Sequence, residues 1–99
     1  MKFFLFLICL TIPFTTFGIG LDDFRERPFG HILFIRHALA PGFGDPDHFK
    51  LRRCDTQRNL DEQGRNQARN LGKLLKKSGI PFDQVYSSQW CRCLETAEL

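Results

Sequence analysis

Residues 31–37 read HILFIRH, a short aliphatic run that ends in an arginine and a histidine. Such a run, with Gly30 before it and Pro-Gly at 41–42 soon after it, is typical of a buried β-strand. Ligands of open α/β sheets bind at the carboxyl ends of the strands, where Arg36 and His37 are expected to lie. An imidazole can attack phosphorus while a guanidinium neutralises phosphoryl oxygens, so the pair suits phosphoryl transfer. The alternative for the dipeptide alone is a surface pair that caps a strand.

A second predicted strand, residues 82–86, is followed by the serine pair 87–88 and then by a segment of helical character. Serine favours the N-cap position, so the helix is predicted to start there. Arg92 then falls in the first or second turn of this helix and can point at the same crevice as Arg36 and His37. Backbone N–H groups at the helix start would add to anion binding.

A long helix is predicted between the two strands, from about Glu62 to Ser78. Asp61 is its expected N-cap and Gly79 its expected C′ residue. Its basic side chains suit a solvated face and the C-terminal end of the helix dipole, and the chain's net charge is only +3, so no nucleic-acid partner is expected. The order strand, helix, strand, helix predicts an α/β fold with a right-handed crossover. The face expected to turn inward comprises Gly64, Ala68, Leu71 and Leu75.

Three motifs, taken in this order and spacing, resemble the histidine phosphatase superfamily, in its phosphoglycerate mutase-like branch. The family pattern is R-H-G after a strand, then L-[ST]-x-x-G-x-x-Q-A, then S-S-x-x-x-R-[AC]-x-x-T-A. The chain has RHA at 36–38, LDEQGRNQA at 60–68 and SSQWCRCLETA at 87–97. Ala38 replaces a glycine with another small residue, and Asp61 replaces Ser or Thr with an equally good N-cap. The loop after residue 38 is more like that of small exported bacterial members than that of a glycolytic mutase.

The resemblance implies a three-layer α/β/α fold with a mostly parallel sheet, of which residues 31–99 would form the N-terminal, incomplete part. It implies a phosphatase that hydrolyses phosphoric monoesters or phosphohistidine through a phosphohistidine intermediate on His37. Arg36 and Arg92 would bind the substrate, a phosphorylated small molecule or a phosphoprotein, and no metal or other cofactor would be needed.

The family's second catalytic histidine and its carboxylate proton donor come well after the S-S-x-x-x-R helix. We therefore expect the 99 residues to be a truncated N-terminal fragment that is inactive as it stands. A chain of this size also has difficulty stabilising itself without disulfides, a metal or a partner. Two alternatives stay open: a non-catalytic phosphate- or phosphopeptide-binding module, and a non-functional remnant.

Residues 1–20 have the pattern of a secretory signal peptide. Met1-Lys2 precedes an apolar run over 3–14, and small residues at 18 and 20 favour cleavage after Gly20. An uncleaved membrane anchor is the alternative, but the run is broken by threonine and proline and is shorter than the roughly 20 apolar residues that span a bilayer. We expect a periplasmic or secreted protein without a stable membrane anchor after cleavage. A flexible lead-in would occupy 21–30.

Three cysteines follow the predicted leader: Cys54, Cys91 and Cys93. Cys54 lies in the long loop and could pair with either of the others in an oxidising compartment. Cys91 and Cys93 point about 200° apart on a helix, so at most one of them faces Cys54. A zinc site is disfavoured because the spacing lacks paired ligands.

Overall fold

The computed structural model describes residues 20–27 and 29–99. Within them the helices are α1 (Leu21–Glu26), α2 (Glu62–Ser78) and α3 (Cys91–Glu98), with a short 3₁₀ turn at Cys54–Thr56. The predicted signal peptide lies outside the described residues, apart from its last residue. No helix in the described ranges has the length and apolar character needed to cross a membrane.

Helix α2 confirms the sequence prediction at both ends. The side chain of Asp61 accepts a hydrogen bond from the backbone N–H of Gly64 at 2.7 Å, which satisfies one of the unpaired donors of the first turn. Gly79 adopts a left-handed conformation with φ of 68°, and its N–H donates to the carbonyl of Lys76. Both ends of the helix are therefore determined by local signals that are visible in the sequence.

The first two turns of α2 pack against the segment that follows His37. Gly64 and Ala68 are buried, whereas the other two residues of the predicted inward face, Leu71 and Leu75, are half-buried. The N–H of Leu39 donates to the side-chain oxygen of Gln67 at 2.8 Å. This contact holds the loop after residue 37 against α2. The small buried cluster at this contact consists of Ala38, Ala40, Leu60 and Ala68.

The two predicted strands are not formed within the described residues. Residues 31–35 and 82–86 belong to no strand, and the β-pairing seen within 20–27 and 29–99 is one isolated antiparallel bridge between Lys50 and Arg53. Phe34 is 88% exposed and Val85 is 73% exposed. A parallel strand is stabilised by neighbours on its edges and cover on both faces, and neither segment has that cover here. The mostly parallel sheet is thus unconfirmed.

Helix α3 begins later than the serine pair at 87–88 predicts. Its N-cap is Trp90, which has an extended backbone and no capping side chain. The N–H of Cys91 instead donates to the side-chain oxygen of Gln57 at 2.9 Å. A distant loop therefore supplies the acceptor that a serine would have supplied, which is why the local signal misplaced the start. Arg92 lies in the first turn, as predicted.

The lead-in segment contains α1 and is not irregular throughout. Phe24 of this helix lies with its ring centroid 6.3 Å from that of Phe82 and 6.2 Å from the ring of His31. These aromatic contacts bring α1 beside the two extended segments.

Candidate active site

One tautomer of His37 is favoured by the backbone. Its Nδ1 lies 2.7 Å from the carbonyl oxygen of Ala38. A carbonyl can only accept, so this contact favours the tautomer with the proton on Nδ1, which has its lone pair on Nε2. The ring is half-buried and lines a cavity of about 680 Å³ between the extended segments, α2 and α3. This imidazole is therefore arranged to act as a nucleophile or as a base.

A hydrogen-bond chain links the residue after His37 to α3. The N–H of Ala38 donates to the hydroxyl of Thr96 at 3.0 Å. That hydroxyl in turn donates to the carbonyl of Arg92 at 2.7 Å, one helical turn earlier. The backbone around His37 is thus positioned by the helix that carries Arg92.

Arg92 is a buried cation, only 9% exposed. Its Nη1 donates to both carboxylate oxygens of Asp45, at 3.0 and 3.1 Å, and approaches the carbonyl of Arg58 at 3.4 Å. The guanidinium carbon lies 4.5 Å from the ring centroid of Trp90, a cation–π arrangement. Its Nε is buried and has no hydrogen-bond partner in the described part of the chain. Nε is therefore a buried donor that lacks an acceptor among the described residues.

Asp45 is as buried as the arginine that it contacts, with a side chain 9% exposed. Its Oδ1 also accepts from the backbone N–H of Arg58 at 2.9 Å. Desolvation raises the pKa of this carboxyl, but the Arg58 N–H and the Arg92 guanidinium outweigh it, so the pKa lies below its usual value. The side chain of Arg58 donates to the carbonyls of Gly44, at 2.9 Å, and of Ala40. Two arginines thus surround one ionised carboxylate.

A disulfide fastens the long loop to the start of α3. Cys54 pairs with Cys91, which confirms one of the two pairings that the sequence left open, and Cys93 is free and half-buried. Gln57 reinforces the link, because its amide nitrogen donates to the carbonyls of Lys50 and Leu51 while its oxygen accepts from Cys91. The first turn of α3, which contains Arg92, is therefore anchored both covalently and by hydrogen bonds.

The three sequence-predicted site residues do not converge on one pocket. His37 lines the large cavity, whereas Arg36 and Arg92 do not. Arg36 is exposed and forms no hydrogen bond or ion pair within residues 20–27 and 29–99. The guanidinium of Arg92 is instead hydrogen-bonded to the carboxylate of Asp45. Over the same residues, no cluster of three or more His, Cys, Asp or Glu side chains is placed to hold a metal ion.

Sequence reasoning missed Asp45, Gln57 and Arg58. The available signal was the polar triplet Gln-Arg-Asn at 57–59, which directly precedes the capping motif at 60–64 in a loop that is otherwise hard to interpret. Nothing local marks Asp45, whose role depends on contacts 13 and 47 residues away.

The model of the histidine phosphatase superfamily (branch 1) matches residues 32–99. The chain therefore belongs to the histidine phosphatase superfamily, whose members have an α/β fold. Among curated proteins, it is 55% identical over 38 residues to the 2,3-bisphosphoglycerate-dependent phosphoglycerate mutase 2 of Latilactobacillus sakei, a match that covers 38% of this chain and 17% of the relative.

Mitochondrial serine/threonine-protein phosphatases named Pgam5 match a longer stretch. The chain is 34% identical over 83 residues to the protein of Drosophila erecta and 38% identical over 83 residues to that of Drosophila virilis. Each match covers 84% of this chain and 26% of the relative. The chain thus spans about a quarter or less of the length of these relatives. No solved structure matches it.

Proposed function

We propose that the chain belongs to a phosphatase that hydrolyses phosphoric monoesters or phosphohistidine, with His37 as the residue that is transiently phosphorylated. The observation that carries this proposal is the hydrogen bond from Nδ1 of His37 to the carbonyl of Ala38. It leaves the Nε2 lone pair on a half-buried ring that lines a cavity. A histidine with its proton fixed on one nitrogen is prepared for attack through the other.

In the first step, the Nε2 lone pair forms a bond to phosphorus while the bond from phosphorus to the leaving oxygen breaks. The ring becomes positively charged, and the Ala38 carbonyl stabilises that charge through Nδ1–H. We assign protonation of the leaving oxygen to the carboxylate that the family pattern places after the S-S-x-x-x-R helix. In the second step, water attacks phosphorus and gives a proton to the same carboxylate, while the electrons of the N–P bond return to Nε2.

Arg36 and Arg92 are proposed to bind the phosphoryl oxygens. The unpartnered Nε of Arg92 supports this role, because an oxyanion would satisfy a donor that is otherwise buried without an acceptor. Convergence with His37 requires residues 31–35 and 82–86 to pair as neighbouring strands, so that their carboxyl ends meet. The proposal therefore includes the mostly parallel, three-layer sheet, of which these residues would be a part.

We further propose that residues 1–20 direct export and that the protein acts in the periplasm or outside the cell. The disulfide between Cys54 and Cys91 supports this location, since such bonds persist in oxidising compartments. The proposed substrate is a phosphorylated small molecule or a phosphoprotein. A second candidate, a non-catalytic phosphate-binding module, is favoured by the position of Arg92 outside the cavity that His37 lines.

The test is trapping of the phosphoenzyme. The full-length gene product that carries this sequence is mixed with a chromogenic phosphate ester and quenched in alkali. We expect a base-stable, acid-labile phosphate on His37 and a loss of turnover of about a thousandfold or more in His37→Ala. His48→Ala is the matched control, because His48 is an exposed loop histidine. Unchanged turnover in His37→Ala would contradict the assignment of His37 as the phosphorylated residue. Phosphate binding without a trapped intermediate would favour the non-catalytic binding module.

A further inference from the structure

We propose that Asp45 is the positioning residue of the oxyanion site: it holds Arg92 by Nη1, so that Nε, which has no acceptor among the described residues, can donate together with Nη2 to two phosphoryl oxygens. This inference rests on the proposed function, because it takes Arg92 to be a phosphate ligand. It goes beyond that function by giving a role to a residue outside the three family motifs.

The contacts show which edge of the guanidinium is used. Both oxygens of Asp45 accept from the same nitrogen, Nη1, at 3.0 and 3.1 Å, so the carboxylate does not bridge two nitrogens. Arginine binds oxyanions most strongly with two parallel N–H groups, which the Nε–Nη2 edge provides. The Nε on that edge is buried and lacks an acceptor in the described residues. A buried donor without an acceptor is unfavourable, and a ligand oxygen would remove that penalty.

The position of the guanidinium is also fixed by Trp90 and by the backbone that holds Asp45. Trp90 lies against its face, with the ring centroid 4.5 Å from the guanidinium carbon. Asp45 is itself held by the backbone N–H of Arg58 at 2.9 Å, so its orientation does not depend on Arg92 alone. Both partners of the ion pair have side chains that are about nine-tenths buried. An arginine fixed in this way loses little conformational entropy when it binds an anion.

A positioning role and a blocking role for Asp45 predict opposite results. If the carboxylate merely occupied the place of the anion, its removal would vacate the site and reduce repulsion, and phosphate would bind more tightly. If it orients Arg92, its removal releases a long side chain and phosphate binds more weakly. The geometry favours positioning, because the carboxylate accepts from Nη1 and not from Nε, which has no acceptor among the described residues.

The experiment titrates inorganic phosphate, at constant ionic strength, into the full-length gene product and its Asp45 variants. We expect the Kd to rise about tenfold in Asp45→Ala, and about threefold in Asp45→Asn, which retains an acceptor for the Arg58 N–H. The Nε–Hε resonance of Arg92 should shift on phosphate binding in the unaltered protein and lose that shift in Asp45→Ala. Asp47→Ala, an exposed carboxylate in the same loop, is the charge-matched control and should stay within about twofold.

Arg92→Ala separates failure of this inference from failure of the proposed function. If Arg92→Ala binds phosphate as well as the unaltered protein, the proposed role of Arg92 is wrong. If Arg92→Ala loses binding while both Asp45 variants bind as tightly as Asp47→Ala, or more tightly, the positioning role is wrong and the proposed function stands. Should Asp45→Ala not fold, Asp45→Asn decides by the same comparison.

Discussion

Replacing Gly64 with alanine should displace the loop that carries His37 from α2. A Cβ on Gly64 would lie 2.0 Å from the carbonyl oxygen of Leu39 and 3.0 Å from its carbonyl carbon. Contacts below 3.0 Å essentially never occur for a real Cβ, so the two backbones must separate by about 1 Å. Both clashing atoms belong to the main chain, and no side-chain rotation relieves the contact.

The expected loss of stability follows from three contributions. Overpacking of this kind costs about 1–3 kcal/mol. Moving Leu39 weakens its 2.8 Å hydrogen bond to Gln67, worth about 1 kcal/mol. Alanine has a higher helix propensity than glycine, which offsets about 1 kcal/mol of this loss. The free energy of unfolding should therefore fall by about 2 kcal/mol. Gly72→Ala is the matched control in the same helix. A Cβ on Gly72 would lie 3.3 Å from the carbonyl oxygen of Leu99, its nearest neighbour, and a slight shift would accommodate it.

The assay is urea denaturation of the full-length gene product, followed by far-UV circular dichroism, together with the phosphoenzyme trap. Gly64→Ala should have a lower midpoint than Gly72→Ala and trap less phosphate, since the carbonyl that fixes His37 moves with the loop. Equal midpoints for the two variants would refute the argument that this close backbone contact is what requires glycine.

Three further outcomes are expected. Arg92→Ala should abolish the protection that vanadate gives against thermal unfolding, since a charge-assisted interaction of about 1.5–3 kcal/mol is removed; unaltered protection would contradict this. Reduction of the Cys54–Cys91 disulfide, whose partners are 37 residues apart, should lower the free energy of unfolding by about 3–4 kcal/mol in a denaturation series, and Cys54→Ser should make the protein insensitive to reductant. The pKa of Asp45 lies below its ordinary 3.8, so its stabilising contribution is complete above that value and lost as the pH falls through the folded-state pKa. Melting temperatures of Asp45→Asn should therefore depend less steeply on pH in this acid range.

The sequence predicted the parts of the molecule that short-range signals determine. Helix α2 runs from Glu62 to Ser78, between an aspartate cap and a left-handed glycine, as its local pattern indicates. The need for glycine at position 64 was implied by the family motif, and the structure supplies the reason in the backbone of Leu39. The nucleophile candidate, His37, was also recognisable, because a strand-like run followed by Arg-His is visible without any tertiary contact.

The sequence was a poor guide where one residue depends on another that is distant in the chain. The start of α3 was misplaced because its first N–H is satisfied by Gln57 and not by a neighbouring serine. The strands at 31–35 and 82–86 were expected from local patterns, but a strand also needs a pairing partner, which no local pattern supplies, and the sheet is unconfirmed among the described residues. No local sequence pattern indicated that Asp45 would contact Arg92.

The sequence by itself determined where α2 begins and ends and which histidine and arginines are candidates for chemistry. Capping and helical periodicity act over three or four residues, and family motifs are likewise short, so both can be recognised without a fold. Only the tertiary structure decided that Cys54 pairs with Cys91 and that Arg92 is held by Asp45 against Trp90. These contacts join residues far apart in the chain, and their partners are selected by burial and charge in the packed structure. No pattern along the chain contains that information.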